Sequence, residues 1–165
     1  MKQYTQAEFN TLPIVDGVRE CPMGDYSLVS YFGDRATFGK GAIFGDEAIF
    51  GDWTTFGDEA TFGNWAIFGH WAIFGDRATF GDEAIFGDRA TFGNWAIFGD
   101  RAIFGDRVTF GDRATFGDEA IFGDWTTFGD EATFGNWAIF GHWAIFGDRA
   151  TFDGNCKKLV WVPCK

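Results

Sequence analysis

No stretch of this sequence approaches the ~20 consecutive apolar residues of a membrane-spanning helix. The opening residues, Met1-Lys2-Gln3-Tyr4, lack the basic and apolar regions of a secretion signal. A cytoplasmic location, with no membrane association, is the expectation. Only three cysteines occur, Cys21, Cys156 and Cys164, too few for a disulfide framework. Without a secretion signal they are expected to be reduced, with a Cys156–Cys164 bridge left open. Histidine is limited to His70 and His142, and the long central stretch from residue 32 to 152 has neither serine nor cysteine. Nothing there resembles a nucleophile with its base, so an enzyme is not expected and no cofactor is implied. Basic charge is also short, 13 Lys and Arg against 24 Asp and Glu for a net charge of −11. That balance argues against a nucleic-acid-binding surface; an acidic rod that mimics nucleic acid is a minor alternative.

What the chain does have is a repeat. From Phe32 to Phe146, Phe opens 20 successive hexads and Gly follows every one of them. The third slot is Asp in 14 hexads and otherwise Lys40, Asn64, His70, Asn94, Asn136 or His142. The fifth is Ala except at Thr54, Val108 and Thr126, and the sixth is Thr ten times and Ile ten times. A period of six cannot be helical, because 3.6 residues per turn would scatter the Phe residues around the cylinder. Strand alternation fits: Ala and Phe, two apart, share the inside, Thr or Ile points out, and Gly-Asp-x makes the bend. A fixed short period marks a stacked array. The fold class is therefore all-β, a parallel β-solenoid with a Phe-stacked core.

The fourth slot gives the turn length, because stacked neighbours must be compatible across strand pairs. At a spacing of 18, five pairs are oppositely charged (Glu59–Arg77, Glu83–Arg101, Arg101–Glu119, Arg113–Glu131, Glu131–Arg149) and one, Arg89–Arg107, is alike. A spacing of 12 gives five alike and two opposite, and 24 splits evenly. Three hexads per coil follow, and nearly seven coils at about 4.8 Å make a rod roughly 32 Å long. Residues 46–80 recur almost unchanged at 118–152, so positions related by that duplication are not independent.

A coil of 18 residues, a bulky apolar first slot and a small fifth slot resemble the hexapeptide-repeat proteins, which implies a left-handed parallel β-helix. This chain departs from that family in having Phe where aliphatics are usual and in lacking the inserted loops of the family's enzymes. The Phe-Gly repeat with Cys156 in the small slot also resembles phage and bacterial repeat proteins, which would imply a virion-associated setting.

Three segments are expected. Residues 1–25 form an N-terminal cap, with Thr5 and Glu8 at capping-box spacing starting a helix from Thr5 to Leu12 that Pro13 ends. Residues 26–152 form the β-helix, Tyr26 and Ser30 being its first large and small slots. Residues 153–165 close it, with Leu159 to Val162 as a final strand.

Under the 18-residue coil one outer column is entirely Ile: Ile49, Ile67, Ile85, Ile103, Ile121 and Ile139. A flat apolar strip on a rod asks for cover, so the expected function is that of a structural or protein-interaction solenoid self-associating as a homodimer through this face. β-Branched residues that merely suit strands are the plain alternative. Trp53 with Trp71 and Trp125 with Trp143 would be axial neighbours, open to glycan stacking or to stacking on Arg89 and Arg107. Columns of Thr raise ice binding as a further alternative. Stacked third-slot Asp residues are expected to bond their own backbone, with weak Ca²⁺ bridging as another possibility. His70 and His142 stand four coils apart, roughly 19 Å along the axis, and cannot share a metal.

Overall fold

The computed structural model describes residues 1–154 and 156–158. It opens with β1 (Gln3–Thr5), helix α1 (Gln6–Asn10), β2 (Ile14–Val15), β3 (Val18–Cys21), β4 (Asp25–Leu28), β5 (Tyr31–Gly33) and β6 (Ala36–Phe38). Two-residue strands then recur every six residues, from β7 (Ile43–Phe44) to β25 (Thr151–Phe152), and β26 (Lys157–Lys158) follows. Each joins a sixth-slot residue to the next Phe, and the Gly-Asp-x corner separates it from its successor.

These strands stack into three sheets of nine, eight and nine. Partners are parallel and 18 residues apart, as in Ile67 with Ile85 and Phe68 with Phe86. The chain is a parallel β-solenoid with three hexads to the coil, as fourth-slot charge pairing indicated. All five opposite pairs form: Glu59–Arg77 at 3.6 Å, Glu83–Arg101 at 3.4 Å, Arg101–Glu119 at 3.2 Å, Arg113–Glu131 at 2.6 Å, and Glu131 with Arg149. All lie at the surface, Glu83 and Glu131 partly covered, where solvent screens the pairing. They fix register more than stability.

The core accounts for Phe in every first slot. Rings one coil apart lie face to face, Phe68 and Phe86 at 4.8 Å and 2°, which matches the ladder spacing of about 4.8 Å. Rings within a coil meet edge to face, Phe68 and Phe74 at 5.0 Å and 84°. Each ring thus satisfies both favoured aromatic geometries, worth about 0.5–1.5 kcal/mol per pair beyond burial. Fifth-slot Ala is fully buried beside them. The larger Thr54, Val108 and Thr126 are buried too, and Thr126 donates its hydroxyl to the Gly123 carbonyl at 2.8 Å.

At the N-terminal end two of the three ring columns run on into residues outside the repeat, the third beginning at Phe32. Tyr26 stacks on Phe44, Tyr4 on Tyr26, and Phe9 lies parallel to Phe38 at 6.4 Å. Phe9 comes from α1, whose capping box pairs Thr5 with Glu8 as the spacing indicated. The helix is shorter than expected, stopping at Asn10. Arg19 reaches in from β3 and donates to the carbonyls of Phe9, Asn10 and Leu12 at 3.0–3.1 Å, which satisfies the orphan groups that another helical turn would have paired. Parallel pairing also reaches back before Tyr26, since β3 pairs with β6 and β1 with β4. At the other end β26 pairs with β23 (Ile139–Phe140), Lys158 standing beside Phe140 in the ladder. The expected strand from Leu159 to Val162 and the Cys156–Cys164 bridge fall outside the described residues. No helix among the described residues is long and apolar enough to cross a membrane.

Candidate functional site

The corners set what the surface presents. All 19 non-glycine residues of the fourth slot, Trp, Arg and Glu alike, have left-handed backbone, with φ from 54° at Arg35 to 65° at Trp143. That conformation costs L-residues roughly 1–2 kcal/mol each. It persists because the corner is tied down: the Arg101 N–H donates to the Asp118 carbonyl at 2.8 Å, and the pattern repeats along the rod. The only hint in the sequence is Gly41, which occupies this slot with φ 68°.

The third-slot Asp residues bond differently from the expectation. Instead of turning back to its own backbone, each of these side chains from Asp34 to Asp130 accepts the backbone N–H of the third slot one coil on, as Asp82 Oδ1 does from Asp100 N at 3.0 Å. Asn64 and Asn94 do the same at 2.8 Å, and His70 substitutes Nδ1, accepting from Asp88 N at 2.9 Å. The corner N–H has no strand partner in this geometry, so an acceptor in the third slot answers a backbone demand. One oxygen of each carboxylate is thereby engaged. No group of three or more His, Cys, Asp or Glu side chains that could hold a metal ion is found among the described residues.

The Trp pairs form as the register implies: Trp53 on Trp71 at 4.6 Å and 6°, Trp125 on Trp143 at 5.4 Å and 16°. Arg89 covers Trp71 at 5.2 Å. The expected partner of Trp125, Arg107, is not in ring contact; Arg113 over Trp95 at 4.6 Å is the second such pair along the repeat. The ring faces point along the rod toward their neighbours, and their edges point out to solvent. A sugar approaching from the side meets edges, not platforms.

The three outward ladders differ. One runs Ile43, Thr61, Thr79, Ile97, Thr115, Thr133 and Thr151, and another Thr37, Thr55, Ile73, Thr91, Thr109, Thr127 and Ile145. The third brings together all six predicted Ile residues, headed by Tyr31. Ile49, Ile67, Ile85, Ile103 and Ile121 are each 41% exposed, with Ile139 half-buried. Beside this ladder lies a corner in which Trp65 and Trp137, not singled out in the sequence, flank the charge-paired Glu83, Arg101 and Glu119. A shallow groove of about 490 Å³ runs between corner and ladder. Trp65 donates Nε1–H to Glu83 at 3.0 Å, and Arg101 sits between Glu83 and Glu119, both of which hold its guanidinium well on the protonated side, Glu119 the more strongly. The other edge of the ladder carries the third-slot residues Asp52, His70, Asp88, Asp106, Asp124 and His142.

Such an arrangement offers a flat apolar strip edged by polar groups, with no convergent acid, base or nucleophile. Comparison with protein-family models, with curated proteins and with solved structures returned no match.

Proposed function

We propose that this chain is a structural or protein-interaction solenoid without an enzymatic role, which self-associates through its Ile face. In this reading the coil is left-handed, as in the hexapeptide-repeat proteins, and the segment through residue 25 caps its first coil. A cap matters because an open strand edge templates end-to-end growth. The rings of Tyr4, Phe9 and Tyr26, lying over the Phe columns, support that role.

The observation that carries the self-association is the unbroken Ile ladder, its members uniformly 41% exposed from Ile49 to Ile121. Covering what remains exposed is worth about 1 kcal/mol per Ile, so on the order of 10 kcal/mol over two copies. Association itself costs ~4–15 kcal/mol. The ladder brings two copies to the threshold, and the flanking side chains decide the outcome.

Light scattering on the parent chain and on Ile85→Asp with Ile103→Asp tests this. A parent dimer that becomes a folded monomer supports the reading. A parent already monomeric sinks it, and directs attention to glycan and ice assays of the Trp and Thr columns.

A further inference from the structure

The two edges of the Ile ladder carry different charge patterns, and these decide how two such faces can meet. A two-fold axis along the rods would set them parallel and place one edge over the opposite edge at the same coil. Glu47 would then face Asp52, Glu83 face Asp88, and Glu119 face Asp124 of the second copy, a carboxylate against a carboxylate at three of six levels. An axis across the rods sets them antiparallel and places each edge over itself, reversed. Centred on the level of Ile103, this puts Arg101 against Arg101 and Glu83 against Glu119, again like against like.

Centred midway between Ile85 and Ile103, the pattern changes sign. Glu83 meets Arg101 of the second copy, Trp65 meets Glu119, and Glu47 meets Trp137. Glu83 and Glu47 gain a donor there, Arg101 and the Trp137 indole, while Glu119, which Arg101 already holds within its own chain, meets an indole whose N–H stays on Glu83. The same centre pairs all six Ile residues, Ile85 with Ile103, Ile67 with Ile121, and Ile49 with Ile139. It is the middle of the column, so no other register buries more of it. On the opposite edge His70 comes to Asp124 and Asp52 to His142, leaving Asp88 over Asp106 as the one like pair. The two outer Glu–Trp contacts are generated by the duplication, since repeating a Glu-then-Trp order along a face makes that face complementary to its own reverse.

We infer that the partner of the Ile face is a second copy of this chain, antiparallel, with the two-fold axis between Ile85 and Ile103. This inference rests on the self-association proposed above.

The test is a full chain carrying Ile49→Cys and Ile139→Cys, with Cys156→Ser and Cys164→Ser, so that the buried Cys21 is the one native thiol left. Within one chain the two new thiols are five coils, about 24 Å, apart, far beyond the ~7 Å Cα separation a disulfide can bridge. Oxidation is followed by peptide mapping of the links, and light scattering gives the mass of the unoxidised sample. The expected result is a dimer whose links join residue 49 of one copy to residue 139 of the other. A second variant, Ile67→Cys with Ile121→Cys, is expected to link in the same crossed manner and serves if the first folds poorly by circular dichroism. Links of 49 to 49 and 139 to 139 in a dimer would overturn the antiparallel register while leaving the Ile face as the contact. A dimer that forms no link would overturn this register, and a monomer would overturn the face as well.

Discussion

Replacing Gly99 by Ala is expected to cost far more than replacing Gly41 by Ala, although only Gly41 has a backbone that favours glycine. A Cβ on Gly99 would lie 2.3 Å from Asp82 Oδ1, 2.7 Å from Asp82 N and 2.7 Å from Gly81 C. The last two are backbone atoms of the coil below and cannot rotate away, so the coils must part. Parting them stretches the bond from Gly99 N to the Phe80 carbonyl at 3.0 Å and that from Asp100 N to Asp82 Oδ1 at 3.0 Å. It also opens the Phe80 and Phe98 stack at 4.8 Å. Losing each of these bonds costs about 0.5–1.5 kcal/mol, and the stack adds about 1 kcal/mol, so a loss on the order of 3 kcal/mol follows on top of the clash itself. At Gly41 a Cβ meets nothing within 4 Å, and the cost is the left-handed conformation alone, about 1–2 kcal/mol. Urea unfolding followed by far-ultraviolet circular dichroism measures both, with hydrogen exchange at residues 80–100 reporting local opening should the array unfold in parts. Equal losses at the two positions would refute the account of the second-slot glycines as points of close approach.

Asp100→Asn is expected to change stability by less than about 0.5 kcal/mol, because Asn64 and Asn94 already accept in the same way, whereas Asp100→Ala removes the acceptor of the Asp118 N–H and costs about 0.5–1.5 kcal/mol; urea midpoints distinguish them. Thr126→Val is expected to cost about 0.5–1.5 kcal/mol through loss of the hydroxyl bond to Gly123, without disturbing the packing, since Val108 fills the same slot one coil earlier. The Cys21 thiol, which burial pushes up to about 12, is expected to resist thiol reagents at pH 8 in the folded chain and to react on unfolding. Because its folded value is raised above the 9.0 of a free thiol, its contribution is complete below pH 9 and is lost as pH rises toward about 12. A thermal melt series from pH 8 to 12, with Cys21→Ala as reference, reads that loss. Glu131 is held below the usual carboxylate range, first by its hydrogen bond from Arg113. Its pair is therefore intact above the ordinary Glu value and lost as pH falls through the depressed one.

The repeat made the architecture legible because identical slots constrain each other. A Phe every six residues, a small fifth slot and charge pairs at 18 leave one coil length, and the ladders follow it. The corners were harder to read. The left-handed fourth slot is filled by Trp, Arg and Glu, residues with no preference for that conformation, so propensity carries no signal; inter-coil bonds impose it. The third-slot Asp was assigned to its own turn because its true partner, an N–H on the next coil, becomes visible only once coils are stacked. Glycine at the second slot was read as a bend, yet from Gly39 to Gly147 those residues have no positive φ. The Ile column was legible as soon as the coil length was known. Of the corner beside it, Glu83, Arg101 and Glu119 were legible as stacked charges, but Trp65 and Trp137 were not joined to them, since the indoles make sense there only beside the ladder.

Small-angle X-ray scattering of the parent chain tests the central claim most directly, because mass and shape come from one curve. Nine stacked strands give a rod on the order of 40 Å long. Two rods joined along their Ile faces give twice the mass of the 18.4 kDa chain with a thicker cross-section and little change in length. The mass of one chain, or a doubled mass with a length near 80 Å, would contradict it.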